Sequence, residues 1–324
     1  MQHRPHNRQI RAFAPGGVGN MGPGLDILGC AVTGPGDAVT ATLTERPGVR
    51  IDDPGHPDLP FDVDQHASGI AAAEVLRRAG AMSAGVALRI EKGLPLAGGQ
   101  GGSAASAVAA AFATNTLLGE PLGKEELLYA ALVAEERLAG RHIDNLAPAL
   151  FGGILLVRSI DPLDVVRIPA PEALRIVIVH PHMQLRTADA RAVLPAIVDR
   201  QTAMAQAASV GAMIAAFYAG DLTRLRGAVD DRIAEPVRSA LLPGFLAAKQ
   251  AALAAGALGC SISGGGPSAF ALTDGETTAR VVMAAMIASY ESSGIAASGR
   301  VGRVDEQGAR IEDASPADGA GDPQ

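Results

Sequence analysis

Residues 95–106 read Pro-Leu-Ala-Gly-Gly-Gln-Gly-Gly-Ser-Ala-Ala-Ser and run directly into an apolar stretch over 107–118. A glycine cluster leaves backbone N–H groups uncovered, and a Ser-capped run of good helix formers adds the positive end of a helix at the same spot. Such a spot favours an anion, phosphate above all. The alternative is a tight loop ahead of a buried, small-residue helix, since glycine also serves wherever backbone must turn sharply. A Walker loop is excluded: it needs Lys-Ser or Lys-Thr after its last glycine, and the nearest lysines, Lys92 and Lys124, stand outside the run. The G-x-G-x-x-G spacing and downstream ribose-binding acid of a dinucleotide fold are missing too.

Other polar groups could join that chemistry. Asn20 and Asp26 lie in a stretch dense in turn formers, where glycines let a ligand approach the backbone; both are equally stock turn residues. Glu135 and Glu136 sit near the end of a predicted helix, where carboxylates oppose the dipole. They read as a solvated surface pair or as oxygen donors for a divalent cation. His142, Asp144 and Asn145 precede an apolar segment, and such groups are costly to bury unless hydrogen-bonded or used. His180 and His182 share one strand face, but two histidines without a third ligand read as ordinary loop-edge residues.

The elements that must position these groups follow from pattern. A first strand over 9–14 breaks at Pro15-Gly16-Gly17, 37–44 alternates as a strand, and proline-bearing 46–64 is a surface connection. The spacing over 68–79, stopped by Gly80, predicts a helix. Residues 85–92 alternate as a half-buried strand feeding the glycine run, so strand, loop and helix come in order. A second amphipathic helix spans 124–139. A boundary falls within 162–171, before a strand at 174–179. Beyond it, 187–191 opens a helix, long helices follow over 199–219 and 221–234, Glu235-Pro236-Val237-Arg238 breaks the pattern, and 243–255 is helical. Residues 260–272 form strand, triple-glycine turn and strand, a turn that implies backbone packed against something large. A last helix covers 276–293 and a last strand 299–304. The Ala, Gly, Asp and Pro of 305–324 offer too little apolar area to order.

Composition narrows the class. A chain of 324 residues, 48% hydrophobic, can build two domains with real cores and has the balance of a soluble globular α/β protein. Its net charge of −7, with no sustained basic block, argues against a nucleic-acid partner. Cys30 and Cys260 have no Cys-x-x-Cys or histidine-rich company, so neither a disulfide scaffold nor a zinc site is indicated, and a reducing cytoplasm fits. Residues 1–11 are basic and polar with no apolar segment after them. No run reaches the roughly 18 apolar residues of a membrane helix, so neither a signal nor a span is expected.

Taken together, three motifs resemble the GHMP kinase superfamily. Residues 15–29 are similar to the homoserine-binding loop of homoserine kinases, 95–106 to the superfamily's phosphate loop, and 261–272 to its C-terminal glycine motif; the likeness covers roughly 10–304. Homoserine kinases are picked out within it by four patterns. These are Asn20-x-Gly22-Pro23-Gly24-x-Asp26, His142-x-Asp144-Asn145-x-Ala147-Pro148 before Gly152-Gly153, Thr187-x-x-x-Arg191 before Leu194-Pro195, and Glu235-Pro236-x-Arg238 before Leu242-Pro243-Gly244. The resemblance implies an α+β, two-domain GHMP kinase fold. Residues 1–9 would be a flexible N-terminus and 10–165 an ATP-binding domain like a ribosomal-protein domain, with a left-handed βαβ unit. Residues 166–304 would be a ferredoxin-like domain and 305–324 a disordered tail, with the site between the domains. That handedness rests on the resemblance alone, since right-handed crossovers are the rule.

The implied activity is ATP-dependent phosphorylation of the L-homoserine side-chain hydroxyl to O-phospho-L-homoserine, in the threonine biosynthesis of the cytoplasm, with Mg²⁺. The partners are a small molecule and a second copy in a homodimer, with no nucleic acid and no membrane. Pro95, Leu96, Ala97, Gly98, Gly99, Gln100, Gly101, Gly102, Ser103, Ala104 and Ala105 would surround the ATP phosphates, and Ser103 and Glu135 would ligate Mg²⁺. Glu135 is preferred to Glu136 on its distance from Gly140. Asn20, Asp26, His142 and Asn145 would hold the amino group and hydroxyl of homoserine, with Thr187 in the same substrate set. Arg191 and Arg238 would take its carboxylate, two guanidinium forks for one small anion. Asn20, Asp26, Ser103, Glu135 and Asp144 form the catalytic set. Asp144 is the candidate base, although phosphoryl transfer asks mainly for positioning and charge neutralisation.

The chain departs from the family pattern where loops usually read Gly-Leu-Gly-Ser-Ser-Ala: Gln100 stands for the Leu and Gly102 for the first Ser. Gly16-Gly17-Val18-Gly19 replaces a common Ser-Ser-Ala, and His66 falls where an adenine-side Asn is expected. Two other readings therefore stay open, a mevalonate-type kinase of small alcohols and a non-catalytic binder on the same fold.

Overall fold

The computed structural model describes residues 8–313; 1–7 of the expected flexible N-terminus and 314–324 of the expected disordered tail lie outside them. A first unit threads β1 (Gln9–Gly19), β2 (Leu28–Thr44), β3 (Gly48–Asp53), α1 (Ala67–Arg78), β4 (Gly85–Glu91), α2 (Gly102–Leu117), α3 (Lys124–Leu138), α4 (Leu146–Phe151), β5 (Ile154–Ser159) and β6 (Asp164–Ile168). A second threads β7 (Leu174–Pro181), α5 (Thr187–Ala192), α6 (Arg200–Ala219), α7 (Glu235–Arg238), α8 (Phe245–Ala254), β8 (Gly259–Ile262), β9 (Ala269–Asp274), α9 (Glu276–Ser292) and β10 (Ala297–Gly302), before β11 (Arg310–Asp313).

The first sheet has the order β11-β1-β2-β4-β3, with β5 beside the start of β2 and β6 beyond it. Among the described residues only β3 and β4 pair in parallel, and α1 is the crossover that parallel neighbours require. Val86, Leu88 and Ile90 of β4 point every second residue into a core shared with α1, α2 and α3. Helix α2 is apolar nearly all round and carries seven buried alanines at 104, 105, 107, 109, 110, 111 and 113, so it runs through that core at close approach. The second sheet, β10-β7-β9-β8, is antiparallel, as a ferredoxin-like domain requires. In β7 the same period of two splits the strand between two cores. Val177 and Val179 face Phe245, Val282, Met286 and Tyr290, while Ile176 and Ile178 face Val18, Leu28, Ile154 and Phe217.

Several expectations are corrected. Strand β1 does not stop at Pro15 but continues through an irregularity in its pairing with β2. The connection 46–64 contains β3. No helix covers 221–234: only a 3-10 turn at Leu222–Leu225 forms, where the Asp221 side chain accepts from the Thr223 amide and Gly227 turns at φ 74°. Helix α2 is opened by Gly101 in the left-handed region rather than by a Ser cap. The first unit extends to Ile168, because β6 pairs with β5, so a boundary at 165 would cut a strand. Gln9 already belongs to β1. Residues 305–313 are ordered: β11 pairs with β1, and the buried Asp305 accepts from the amides of Gln307 and Gly308, each at 3.0 Å. A polar segment needs little apolar area of its own when an existing sheet edge satisfies its backbone. Finally, the 20-residue α6 is long and apolar enough by composition to cross a membrane, against the expectation of no such run. Here Met213, Ala216 and Phe217 face the core beneath it, and the buried Gln206 donates to Pro23 O at 2.8 Å.

Candidate active site

A cavity of about 640 Å³ is lined from both units, by the glycine run on one side and by a knot of charged groups on the other. Gly99 and Gly101 adopt φ of 73° and 72°, which side chains resist. A Cβ on Gly99 would lie 2.6 Å from the carbonyl oxygens of Ser263 and Gly266, so the glycine run is the large neighbour on which the triple-glycine turn packs. Ser263 Oγ donates to Gly99 O at 2.7 Å and Gly17 N to Gln100 O at 3.1 Å, which fixes the loop from both units. The first bond of α2 runs from Ala105 N to Gly101 O at 2.8 Å. The amides of Gly102, Ser103 and Ala104 therefore stand ahead of the helical ladder, beside the cavity, as a preformed anion site. Pro95, Leu96, Ala97 and Gly98 also line the cavity; Gln100 and Ala105 do not.

Lys92, outside the run by sequence, reaches back into it. Its Nζ donates to Gly102 O at 3.1 Å and Ser106 Oγ at 2.9 Å and pairs with Asp37, which is fully buried. Asp37 Oδ1 accepts the amides of Gly93 and Leu94 at 3.1 and 3.2 Å. A buried ammonium persists only with its carboxylate, and this pair ties β2 and the end of β4 to the first turn of α2. Its one trace in the sequence is register: Ala38 pairs with Glu91, which puts Asp37 beside Lys92.

At the other end Asn20 and Asp26 hold φ of 63° and 62°. The buried Asn20 is fully used: its amide N donates to Asp144 Oδ2 at 3.0 Å, its Nδ2 to Gly264 O at 2.9 Å, and its Oδ1 accepts from Asp26 N at 3.0 Å. Asp26 forms a two-point pair with Arg191 of α5, at 2.6 and 3.2 Å. Arg238 of α7 is buried, with Nε on Ala190 O at 3.0 Å and Nη1 on Gly264 O at 3.1 Å. Burial lowers its pKa, and the nearby charge of Arg191 lowers it further. Two guanidiniums facing one end of a cavity call for an anion there.

His142 and Asp144 are buried together, His142 Nδ1 lying 3.1 Å from Asp144 Oδ1. Burial pulls His142 down, but the hydrogen bond and charge of Asp144, with the charge of Glu135, outweigh it and place the ring above the ordinary histidine range. Glu135 is buried as well, and burial pushes its carboxyl up against the pull of His142. Its Oε1 is 3.5 Å from His142 Nε2 without a hydrogen bond. Glu135 Oε2, His142 Nε2 and Arg191 Nε are buried and have no partner. Orphaned polar atoms around one cavity mark where a ligand's groups belong. Glu136 stays on the surface, paired with Arg141 at 3.1 Å. Asn145 lines the cavity beside Gly101, whose Cβ would meet Asn145 Oδ1 at 3.0 Å, and Thr187 lines it at the start of α5.

Asp26, His142 and Asp144 bring ligand atoms within 4.8 Å of one another. Asp26 is already committed to Arg191, however, and a hard divalent cation prefers oxygen donors. The unpartnered Glu135 Oε2 and the exposed Ser103 hydroxyl, both on the cavity, fit such an ion better. His180 and His182 lie apart from this group, rings 6.1 Å from each other, with His180 Nδ1 3.2 Å from Ser268 Oγ. One departure has a local reason: His66 caps α1, Nδ1 accepting from Ser68 N at 3.1 Å. A Cβ at Gly102 would make only ordinary contacts, 3.4 Å from Lys92 Nζ, and nothing in the structure explains the glycine there.

Comparison with known proteins fits this geometry. The family model for the GHMP kinases N terminal domain matches residues 67–153, and that for the GHMP kinases C terminal matches 213–292. A homoserine kinase of Chlorobium phaeovibrioides is 41% identical over 299 residues, covering 88% of this chain and 93% of its own. One of Chlorobium phaeobacteroides is 42% identical over 292 residues, covering 86% and 91%. The crystal structure of homoserine kinase from Cytophaga hutchinsonii superposes with a TM-score of 0.89 at 39% identity, over 96% of this chain and 98% of that one.

Proposed function

We propose, for a chain that belongs to the homoserine kinase family of the GHMP kinases, a division of labour across one cavity that performs the family's reaction. The reaction is transfer of the γ-phosphoryl group of ATP to the side-chain hydroxyl of L-homoserine. The observation that carries the division is the pairing of a bare-amide helix start at one end with two guanidiniums and three unpartnered buried atoms at the other.

The amides of Gly102, Ser103 and Ala104 orient the phosphates, with the positive end of α2 behind them. Ser103 and Glu135 would hold Mg²⁺, which supplies charge neutralisation on the transferring group. Arg191 and Arg238 take the homoserine carboxylate, and Asp26, held by Arg191, takes its ammonium group. Asn20 keeps the loop bent so that Asp26 faces the cavity. His142 Nε2 and Asn145 stand between these ends, within reach of the hydroxyl. Asp144 accepts from Asn20 N, His142 Nδ1 and Asn145 Nδ2. A carboxylate so occupied is a good orienting group. Asp144 therefore positions His142 and Asn145, and the hydroxyl proton needs no strong acceptor in a loose phosphoryl transfer.

Cysteines without partners support a reducing, cytoplasmic setting, and a homodimer is the assembly we propose. The decisive experiment is a coupled ADP assay with L-homoserine, mevalonate and a carboxylate-free amino alcohol. ADP release only with L-homoserine supports the assignment of both arginines. Equal turnover of the amino alcohol would overturn it.

A further inference from the structure

Gln206 is a buried amide on α6, the helix that sends Met213, Ala216 and Phe217 into the core, and it does not line the cavity. Its Nε2 donates to Pro23 O at 2.8 Å and to Asp231 Oδ1 at 2.9 Å, and its Oε1 accepts from Arg232 N at 2.7 Å. Asp231, buried as well, gathers the start of α7: Oδ1 accepts from Ile233 N and Ala234 N at 2.9 and 3.0 Å, and Oδ2 from Glu235 N at 3.0 Å. With only four residues, α7 cannot stand by propensity, so these bonds decide where Arg238, its last residue, is held. Pro23 lies between Asn20 and Asp26. Its neighbour Gly22 packs so closely that a Cβ would lie 2.3 Å from Val229 O, two residues before Asp231.

On the cavity side the same two segments meet at Gly264 O, which accepts from Asn20 Nδ2 at 2.9 Å and from Arg238 Nη1 at 3.1 Å. The loop that carries Asp26 and the helix that carries Arg238 are therefore stitched at the front by one carbonyl and at the back by one amide, which belongs to neither segment. An α-amino acid holds its ammonium and carboxylate on a single carbon, so both anchors engage it only when their spacing is right. We propose that Gln206 is a positioning residue that sets the separation of Asp26 from Arg238 and so fits the site to a substrate carrying both charges. This rests on that end of the cavity being the homoserine pocket. A side chain whose three hydrogen bonds are all made to these segments fixes their relative place, because moving either would leave a buried polar group unpaired.

The test is steady-state kinetics of the full chain with L-homoserine, against two competitors that each keep one charge: γ-aminopropanol, which lacks the carboxylate, and γ-hydroxybutyrate, which lacks the ammonium group. Gln206→Met keeps the length and removes all three bonds. It is expected to raise the KM for homoserine about tenfold, the scale of one lost buried hydrogen bond, with the KM for MgATP unchanged. The inhibition constants of the two competitors should hardly move, since a ligand with one anchor is indifferent to the spacing of two. A lower Tm is common to a structural and a positioning role, and the split between ligands separates them. If Gln206→Met does not fold, Gln206→Glu, which keeps the acceptor for Arg232 N and loses both donated bonds, should give the same split. Equal weakening of homoserine and both competitors, an equal rise in the KM for MgATP, or unchanged constants beside a lower Tm would overturn the proposal. Failure of the unaltered chain to bind homoserine better than either competitor would instead overturn the reading of the pocket.

Discussion

The side chains of the polar knot act mainly through what they leave unsatisfied. Arg191 already grips Asp26 and Arg238 already holds two carbonyls, so a substrate carboxylate adds to a preset frame instead of assembling one. Truncating either guanidinium should cost about 2 to 4 kcal/mol in kcat/KM for homoserine, the range for removing one side of a desolvated, charge-assisted pair. Arg→Lys should recover only part of that, since an ammonium cannot make the planar contact. A carboxylate-free alcohol should lose little further in the alanine variants; steady-state kinetics on both substrates separates the outcomes. Glu135→Gln keeps shape and removes the charge offered to a cation. It should lower kcat and shift the Mg²⁺ dependence upward with homoserine binding preserved, while Glu136→Gln, on the surface, should leave all three unchanged. Damage from Glu136→Gln with a silent Glu135→Gln would reverse the assignment.

Elements hold these groups by their ends and edges, and a helix cap shows how pH enters. His66 caps α1 with its neutral Nδ1 accepting the Ser68 amide, while Nε2 lies 3.3 Å from Pro54 O. Burial lowers its pKa. A depressed folded-state pKa means stability present above the unfolded histidine value and lost as pH falls through the folded one; protonation also takes away the cap's acceptor. His66→Asn keeps a good cap and has no titration. Between pH 7 and 5.5 its stability should fall less than that of the unaltered chain, by on the order of 1 kcal/mol, read as a smaller drop in Tm. Parallel Tm curves would show that His66 carries no pH dependence. Elements whose signal is local were legible in the sequence: α1, α3, the loop before α2, and the β8–turn–β9 hairpin. Strands β3 and β11 were not, because an edge strand is defined by the sheet it joins. The same holds for the site, where Asp26 meets Arg191 across 165 residues of sequence and Lys92 meets Asp37 across 55. A motif predicts which residues gather, but not which of their atoms are already taken.

Across the whole molecule, the layer between the two sheets decides how the units behave together. Val18, Met21, Leu28 and Ile154 of the first unit share one core with Ile176, Ile178, Phe217 and Phe270 of the second. The chain then returns to the first sheet as β11, after Val304 bridges to Val32. Each unit has a core of its own, but separating the units would also expose this shared layer, at about 25 cal/mol per Å² of apolar surface. Calorimetry of the full chain should therefore show one transition with equal calorimetric and van't Hoff enthalpies, and residues 169–304 expressed alone should lack a cooperative transition. The cavity draws its walls from both units, so ligands bind only the joined state. A non-hydrolysable ATP analogue with Mg²⁺ at a hundred times its Kd should raise the stability of that single transition by about 2.7 kcal/mol, without splitting it. Two resolved transitions, with only the first shifted by nucleotide, would mean that the shared core is too weak to couple the units, and that binding at the phosphate loop is independent of β7 and α5.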